Sequence, residues 1–249
     1  MSDFDPAAFL RDFRREAEAR GFSTETLLET AAGPILGFVG PEHGQPAYLS
    51  AGIHGDEPAG PLAALELLKT GAFDGPQAWT LCPAVNPTGL AAGTRDTAAG
   101  FDINRDYLRR VTPEARAHAE WLEKRPLPHL FLSLHEDWES SGFYFYEINL
   151  GTDRPARASR ILDAVAPWFP AEPNAVIDDH DVREPGWIYH PATADLPDHW
   201  PEAIFMAELG CPLSFTFETP SSAAIEERTA AHVAAVRAVL GGGTSSSRD

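Results

Sequence analysis

The sequence predicts an α/β fold in which helices flank a largely parallel sheet. Short apolar segments alternate along the chain with segments of helical periodicity, an order that is typical of layered α/β domains. No internal repeat and no linker-like stretch divides the 249 residues, so we expect residues 1–240 to form one domain. The tail 241–249, GGGTSSSRD, has the composition of a disordered segment.

Helical periodicity predicts the helices. Phe9, Phe13 and Ala17 recur at four-residue steps within a helix predicted at 5–20, and Gly21 is placed to end it. The same reasoning predicts further helices at 58–69, 113–124, 155–165, 202–209 and 221–240.

Short apolar runs predict the strands. Residues 24–30 and 35–39 lie on either side of a Gly-Pro turn, which favours a β-hairpin. Further strands are predicted at 47–53, 78–85, 129–134, 143–148 and 213–217. Residues 86–106 are expected to be a long functional loop, and the proline-rich residues 170–200 are expected to be irregular.

The composition limits which binding partners and which cellular compartment we expect for this protein. A formal net charge of −18 argues against nucleic acid and anionic membranes as partners, because phosphate binding needs clustered lysine and arginine. A few arginines in a cleft could still bind an anionic small substrate. The two cysteines, Cys82 and Cys211, lie in apolar segments and are expected to be reduced, buried thiols. Without a signal-like or membrane-spanning apolar run, we expect a cytoplasmic protein.

The most informative motif is His-Gly-Asp-Glu at residues 54–57, directly after the strand predicted at 47–53. A turn after a strand can bring His54 and Glu57 to one metal ion at the carboxyl edge of the sheet, where open α/β sheets hold their active sites. Zinc accepts imidazole nitrogen and carboxylate oxygen, and a catalytic zinc has three protein ligands and an open position. The pair therefore predicts two ligands of a zinc site.

Two other predicted strands also end in polar residues. His135 ends the strand at 129–134, so we expect it at the same edge of the sheet, as the third metal ligand. Glu218 ends the strand at 213–217, where a carboxylate costs desolvation energy unless it has a partner or a function. Near a metal it would be the general base. Taken singly, His135 could be structural and Glu218 could be solvated.

The long loop adds two arginines. Arg95 could polarise a carbonyl group and stabilise an oxyanion. Asn104 and Arg105 could clamp a substrate carboxylate, because a guanidinium group matches a carboxylate with two parallel hydrogen bonds. In an acid-rich protein the alternative is that these arginines form surface ion pairs.

The ordered motifs resemble those of the carboxypeptidase A-like zinc metallocarboxypeptidase family. They are His54-Gly-Asp-Glu57, Asn86-Pro-Thr-Gly89, Arg95, Asp102-Ile-Asn104-Arg105, His135 and Thr216-Phe-Glu218. The resemblance covers residues 45–240 and implies an eight-stranded mixed sheet between helices. It also implies one zinc ion, with His54, Glu57 and His135 as ligands.

The resemblance further implies roles for the other motif residues. Arg95 would be the electrophilic arginine, and Glu218 would be the general base. Asn104 and Arg105 would bind the free carboxylate of the substrate. Asp102 would hold the imidazole of His54, as partners of metal-bound histidines commonly do.

The expected reaction is hydrolysis of an amide bond next to a free C-terminal carboxylate, in a peptide or a small amide. One departure from the family pattern is that Tyr189 is the only tyrosine near the position of the family's mobile tyrosine, and we assign it no role. The chain's form resembles the small bacterial branch that includes murein peptide amidases, which trim cell-wall peptides.

Two alternatives stay open. The chain could be a deacylase of N-acyl amino acids, similar to aspartoacylase and succinylglutamate desuccinylase. Those enzymes usually add a β-rich domain after the catalytic glutamate, and the short stretch after Glu218 favours the carboxypeptidase branch instead. The chain could also be a non-catalytic binding module that keeps the pocket without turnover. Side-chain preference and oligomeric state are not predicted.

Overall fold

The structure, a computed structural model, describes residues 4–241 and is built around an eight-stranded mixed sheet. Within these residues seven α-helices accompany the sheet. The tail predicted to be disordered lies outside the described residues, except for Gly241, which is the last residue of the final helix.

The helices and strands follow one another in the predicted alternating order. The α-helices span Pro6–Ala19 (α1), Ala59–Lys69 (α2), Pro87–Ala92 (α3), Pro113–Leu122 (α4), Pro155–Val165 (α5), Glu202–Glu208 (α6) and Ile225–Gly241 (α7). The strands span Ser23–Thr30 (β1), Gly33–Val39 (β2), Gln45–Ala51 (β3), Gln77–Cys82 (β4), Leu130–Asp137 (β5), Tyr144–Asn149 (β6), Val176–Ile177 (β7), His180–Asp181 (β8), Trp187–Tyr189 (β9) and Leu213–Pro220 (β10).

The strands of the main sheet pair in the order β1-β2-β4-β3-β5-β10-β6-β9. The four strands in the middle, β4, β3, β5 and β10, run parallel to one another. The pairs β1–β2, β2–β4 and β6–β10 are antiparallel, and the edge strand β9 runs parallel to β6. The predicted mixed, largely parallel sheet is confirmed. Its central strands all end at one edge, where the candidate site lies.

The two faces of the sheet are covered by different helices. In β3, Ala47, Leu49 and Ala51 pack with residues of α1, α2, α5 and α7, whereas Tyr48 packs with residues of α4 and α6. Successive side chains of a strand point to opposite faces, so one buried strand contributes to both cores. The result is a three-layer α/β/α arrangement with an apolar core on each side of the sheet.

The first helix forms as its sequence predicts. The carboxylate of Asp5 accepts hydrogen bonds from the backbone N–H groups of Ala7 and Ala8, and so caps the helix N-terminus. Phe9, Phe13 and Ala17 lie on its buried face. Gly21 follows the helix with φ of +81°, a conformation that glycine adopts without a steric penalty.

Three predicted segments were wrong in detail. The loop predicted at 86–106 contains α3 and a short 3₁₀ turn, Ile103–Arg105. The segment predicted to be irregular at 170–200 contains β9 and the two-stranded ribbon of β7 and β8. The last helix begins at Ile225, because β10 extends to Pro220. The elements missed in the first two segments are too short to show periodicity, and strand pairing or a side-chain cap stabilises them instead.

Cys82 and Cys211 are both free and buried, as expected, and burial raises the pKa of the Cys211 thiol to about 11. Between residues 4 and 241, no helix is long and apolar enough to cross a membrane.

A buried polar network lies directly beneath the candidate site. Glu202 at the start of α6 accepts hydrogen bonds from the hydroxyls of Tyr48 and Ser50, both at 2.7 Å. Ser50 lies 3.3 Å from Ser133, a residue that lines the cavity described below. Burial raises the pKa of Glu202 from 4.5 to about 7, although these two hydroxyls oppose the shift. The network therefore holds a carboxyl group that titrates near neutral pH.

We expect Glu202→Gln to flatten the dependence of stability on pH. The unfolded chain releases this proton near pH 4.5 while the folded protein keeps it until about pH 7. The free energy of unfolding should therefore fall between these pH values by an amount on the order of 3 kcal/mol in the parent. Urea unfolding at pH 5 and pH 7 measures this difference. Glu208→Gln, an exposed position on the same helix, is the control. An unchanged slope in Glu202→Gln would contradict the expectation.

Candidate active site

A cavity of about 460 Å³ opens at the carboxyl edge of the central strands. Most of the predicted site residues line it, although they come from distant parts of the sequence. They are His54, Glu57, Arg95, Asn104, Arg105, His135 and Glu218. The remaining predicted residue, Asp102, contacts His54 from behind.

His54, Glu57 and His135 converge at the floor of this cavity. The Nδ1 atom of His54 lies 2.6 Å from Oε1 of Glu57, and the Nδ1 atom of His135 lies 3.0 Å from Oε2. The two Nδ1 atoms are 3.3 Å apart. All three residues are buried. Two imidazole nitrogens and one carboxylate, directed at a common point, are a donor set that suits a catalytic zinc ion.

Tight packing of two glycines explains how His54 and Glu57 reach this position. A Cβ atom on Gly55 would lie 1.8 Å from the backbone of Gly89, so only glycine fits at residue 55. The backbone N–H of Gly55 also donates to the carbonyl of Arg95, at 3.3 Å. The motifs at 54–57 and 86–89 are therefore two halves of one packed structure. Gly52, with φ of +63°, makes the turn out of β3.

Asp102 determines which nitrogen of His54 faces the cavity floor. Its Oδ1 lies 3.2 Å from Nε2 of His54, and its Oδ2 accepts a hydrogen bond from Nε of Arg95 at 3.1 Å. Although burial opposes the shift, His54 and Arg95 hold the pKa of Asp102 well below its usual range. An ionised carboxylate only accepts hydrogen bonds, so Nε2 of His54 carries the proton. The Nδ1 atom is then free to bind a metal.

We expect Asp102→Asn to weaken metal affinity by about 10- to 100-fold, the usual effect of removing such a hydrogen-bond partner. The asparagine amide carries no negative charge and has only one oxygen, so it could not accept the hydrogen bonds that the two carboxylate oxygens of Asp102 accept from His54 and Arg95. Competition with a fluorescent zinc chelator measures the dissociation constant. Asp96→Asn, in the same loop but outside the cavity lining, should leave the affinity unchanged. Equal affinities in all three proteins would contradict the role of Asp102.

Protons compete with a metal for these three side chains. Although burial would lower the pKa of His54, the carboxylates of Glu57 and Asp102 raise it to about 9. Burial lowers the pKa of His135. Burial opposes ionisation of Glu57, but the two histidines hold its pKa well below the usual range. The negative charge that favours a proton on His54 also favours a divalent cation, which binds the neutral imidazole.

Glu218 lies beside His135 on the neighbouring parallel strand, in register with it. It faces the cavity and is partly buried. Burial raises the pKa of Glu218, and the negative charges of Glu57 and Asp137 raise it further. A divalent cation on Glu57 would act in the other direction and lower the pKa of Glu218.

The predicted arginines reach the cavity from the loop between β4 and α4. Arg95 lies 3.6 Å from Oε1 of Glu57 and forms an ion pair with Asp102, while about 42% of its side chain remains exposed. The guanidinium of Arg105 donates one hydrogen bond to the backbone carbonyl of Asn104. The side-chain oxygen of Asn104 accepts from the backbone N–H of Glu202 at 2.9 Å. The NH₂ group of the Asn104 side chain is therefore left to donate hydrogen bonds to a ligand.

Three aromatic residues that line the cavity were not predicted. Tyr144 and Tyr146 lie on the same face of β6, and Tyr144 pairs with Glu218 across the strands. Trp138 is about 78% exposed at the end of β5. The alternation Phe-Tyr-Phe-Tyr at 143–146 is a period-two signal that could have identified the two tyrosines. Tyr189 lies on β9 outside the cavity lining, so it stays without a role.

Sequence comparisons find similarity both to the succinylglutamate desuccinylase/aspartoacylase family and to carboxypeptidases. The catalytic-domain model of the succinylglutamate desuccinylase/aspartoacylase family matches residues 43–144. Carboxypeptidase 2 of Trichophyton rubrum is 33% identical over 99 aligned residues, which cover 36% of this chain and 18% of that protein. The chain thus spans about a fifth of the length of the curated relatives it matches.

Comparisons with solved structures cover nearly the whole chain. A candidate metallopeptidase from Shewanella amazonensis SB2B aligns with a TM-score of 0.83 and 25% identity, over 96% of this chain and 93% of that one. A metallo-carboxypeptidase from Burkholderia cenocepacia shares the fold, with a TM-score of 0.67, 18% identity and coverage of 94% and 67%. Together with the sequence matches, these results support a zinc carboxypeptidase-like family. The resemblance to zinc carboxypeptidases that the motifs predict is confirmed at this level, whereas the murein peptide amidase branch stays a prediction.

Proposed function

We propose that this protein is a zinc-dependent hydrolase that cleaves an amide bond next to a free carboxylate, as a metallocarboxypeptidase does. The convergence of His54, Glu57 and His135 within 2.6–3.3 Å of one another carries the proposal. Glu218 on the adjoining strand supplies a base at the same cavity. Arg95 and Arg105 add positive charge to a lining that is otherwise acidic.

Each side chain of the site has a chemical task in this reaction. When bound, zinc would polarise the carbonyl group and lower the pKa of the attacking water. Glu218 would accept a proton from this water and pass it to the leaving amine. Arg95 would stabilise the negative charge that develops on the carbonyl oxygen, because its guanidinium is held at the cavity floor by Glu57 and Asp102.

The free carboxylate of the substrate would lie against Arg105 and Asn104. One N–H of Arg105 is used by the backbone of its own loop, and its remaining donors are available for a carboxylate. The NH₂ group of Asn104 would add another hydrogen bond. This arrangement selects substrates whose cleaved bond lies at a fixed distance from a terminal carboxylate, such as a peptide or a murein peptide.

We expect Arg105→Ala to raise KM for substrates with a free carboxylate by about 10- to 100-fold, the value of a lost charged hydrogen bond. Arg105→Lys should recover part of this loss, since it keeps the charge without the two-pronged geometry. Arg109→Ala, a nearby exposed residue paired with Asp198, is the control. Steady-state kinetics on one good substrate measure the effect. An unchanged KM in Arg105→Ala would contradict the carboxylate site.

A single substrate panel tests the proposed function. Zinc-loaded protein is incubated with peptides that have free C-termini, the same peptides amidated, a murein tripeptide and N-acyl amino acids, and the products are identified by mass spectrometry. Cleavage restricted to free-carboxylate peptides or to the murein tripeptide is the expected result. Equal cleavage of amidated peptides would contradict an exopeptidase. No cleavage by protein that holds zinc would support the binding-module alternative.

A deacylase of N-acyl amino acids is the second candidate, and one specific observation favours it. The family model that matches residues 43–144 is that of succinylglutamate desuccinylase and aspartoacylase. The matched region contains His54, Glu57 and His135, which such an enzyme would use in the same way. Cleavage of N-acetylaspartate or N-succinylglutamate, without cleavage of any peptide in the panel, would establish this candidate and exclude the first.

A further inference from the structure

A second group of metal-binding side chains lies in the same cavity, apart from the residues used by the proposed reaction. His180 belongs to β8, His190 follows directly after β9, and Asp195 lies in the loop that leads to α6. All three line the cavity. Two imidazoles and one carboxylate are thus brought together by three short segments. These segments lie in a part of the chain that lacks periodicity.

The distances within this group suit ligands of one metal ion. Nε2 of His180 lies 3.4 Å from one carboxylate oxygen of Asp195, and Nε2 of His190 lies 3.5 Å from the other oxygen. An N–H···O hydrogen bond has a usual length of about 2.9–3.0 Å, so these separations are long for direct bonding. Metal–ligand bonds of about 2.0–2.2 Å in tetrahedral geometry place neighbouring ligand atoms roughly 3.3 Å apart.

The surrounding structure holds both imidazole rings in place. The ring of Tyr146 contacts His180 and His190 edge-on, with centroid distances of 5.5 Å and 5.9 Å. Its hydroxyl donates a hydrogen bond to Asp178 at 2.9 Å. Asp178 and Asp179 have φ of +48° and +62°, which is strained for residues other than glycine. This strained turn positions His180 against His190.

The state of the ring nitrogens of His190 also favours a cation between His190 and Asp195. The residue is about 7% exposed, and its Nδ1 atom has no hydrogen-bond partner within the described part of the chain. Burial, together with the neighbouring His180, lowers the pKa of His190. The neutral imidazole is the form that binds metals. When the proton is on Nδ1, the lone pair of Nε2 points towards the carboxylate of Asp195, an arrangement that a cation between them stabilises.

The charge of the cavity wall also favours a cation. Asp137, Glu139, Asp178 and Asp179 line the same cavity as Asp195. The two arginines of the lining, Arg95 and Arg105, belong to the loop that precedes α4 and not to the segments that carry His180, His190 and Asp195. A concave surface with many carboxylates concentrates divalent cations from solution.

From this geometry we propose that His180, His190 and Asp195 form a second site for a divalent transition-metal ion, separate from the site of His54, Glu57 and His135. Two imidazole nitrogens and one carboxylate oxygen favour zinc or a similar borderline ion over calcium or magnesium, which prefer oxygen ligands. The exposed side of Asp195 leaves room for water as a further ligand. A bound ion would fix β8, the end of β9 and the loop before α6 to one another.

Metal stoichiometry tests the second site without an activity assay. The protein is loaded with zinc and dialysed, and its zinc content is measured by inductively coupled plasma mass spectrometry. We expect two ions in the parent, one in His180→Ala/His190→Ala, and one in His54→Ala/His135→Ala. Asp195→Asn, at a mostly exposed position that should fold normally, should weaken the second ion by about tenfold or more. His199→Ala, an exposed histidine nearby, is the control and should keep both ions.

The outcomes separate this proposal from the proposed function. One ion in the parent and none in His54→Ala/His135→Ala would overturn the second site. Two ions that persist in Asp195→Asn with unchanged affinity would also overturn it, since the second ion would then lie elsewhere. One ion in the parent that survives in His54→Ala/His135→Ala and is lost from His180→Ala/His190→Ala would support the second site and contradict the first.

Discussion

Replacing His135 with alanine should remove the metal of the primary site and abolish hydrolysis. His135 is one of the three proposed metal ligands at the cavity floor, where its Nδ1 lies 3.0 Å from Glu57. Two remaining ligands bind zinc weakly, and the reaction depends on the metal for carbonyl polarisation and water activation. We expect kcat/KM to fall by about 10⁴-fold or more, since enzymes as a class accelerate reactions by at least 10⁶-fold. Zinc content and kcat/KM are measured on the same samples.

The control for this variant is His129→Ala. His129 precedes the same strand at its other end and lies outside the cavity lining. It should keep full activity and the same zinc content as the parent. Chelation of the parent should reproduce the loss seen in His135→Ala, and added zinc should restore activity to the chelated parent alone. Activity in His135→Ala close to the parent level would contradict a metal site at this position.

Replacing Glu218 with glutamine should lower kcat by about 10²- to 10⁴-fold and leave zinc content unchanged. Glutamine has nearly the same shape but cannot accept a proton, and general base catalysis has an effect of this size. KM should change little, because the substrate's carboxylate and carbonyl would keep their partners. Stopped assays at high enzyme concentration can measure the residual rate.

Two further results make the Glu218 prediction specific. Glu139→Gln removes a negative charge from the same cavity at an exposed position, so it tests whether charge alone explains the loss. It should retain most of the activity. In the parent, kcat/KM should fall as pH decreases through the pKa of Glu218, because the protonated acid cannot act as a base. Full activity of Glu218→Gln would exclude Glu218 as the base.

The meeting of His54, His135 and Glu218 at one cavity could be predicted because it depends on a simple property of the fold. His54, His135 and Glu218 each stand at or just beyond the end of an apolar run, and parallel strands end at one edge of a sheet. The register that places Glu218 beside His135 follows from the pairing of β5 with β10. Asp102 was predicted through the family resemblance alone, and Arg95 through the chemistry of its side chain and the resemblance, since their loop has no periodicity that could locate them.

The wall of the cavity could not be predicted in the same way. β8 and β9 have two and three residues, which is too short for a periodic signal. β9 exists because it pairs with β6, through contacts such as Phe145 with Trp187 that are distant in sequence. Tertiary pairing of this kind is not visible in local propensity. The juxtaposition of His180, His190 and Asp195 therefore emerged only from the structure.

The packing of Gly55 against Gly89 explains why two separate motifs occur together. Each motif looks modest alone, but a Cβ at residue 55 would collide with the backbone of Gly89, and a Cβ at residue 89 would collide with the side chain of Asn86 and the carbonyl of Thr94. A side chain at residue 55 would therefore push the 54–57 turn away from Gly89, and with it His54 and Glu57. The two motifs occur in one sequence because the segments that carry them are in contact in the fold, at Gly55 and Gly89.

The most direct test of the account is a crystal structure of the zinc-loaded protein, with anomalous diffraction data on both sides of the zinc absorption edge. We predict an anomalous peak at the cavity floor, about 2.0–2.2 Å from Nδ1 of His54, Nδ1 of His135 and a carboxylate oxygen of Glu57. A zinc-loaded crystal with no peak at these three residues would contradict the proposed metal centre, and with it the hydrolytic function.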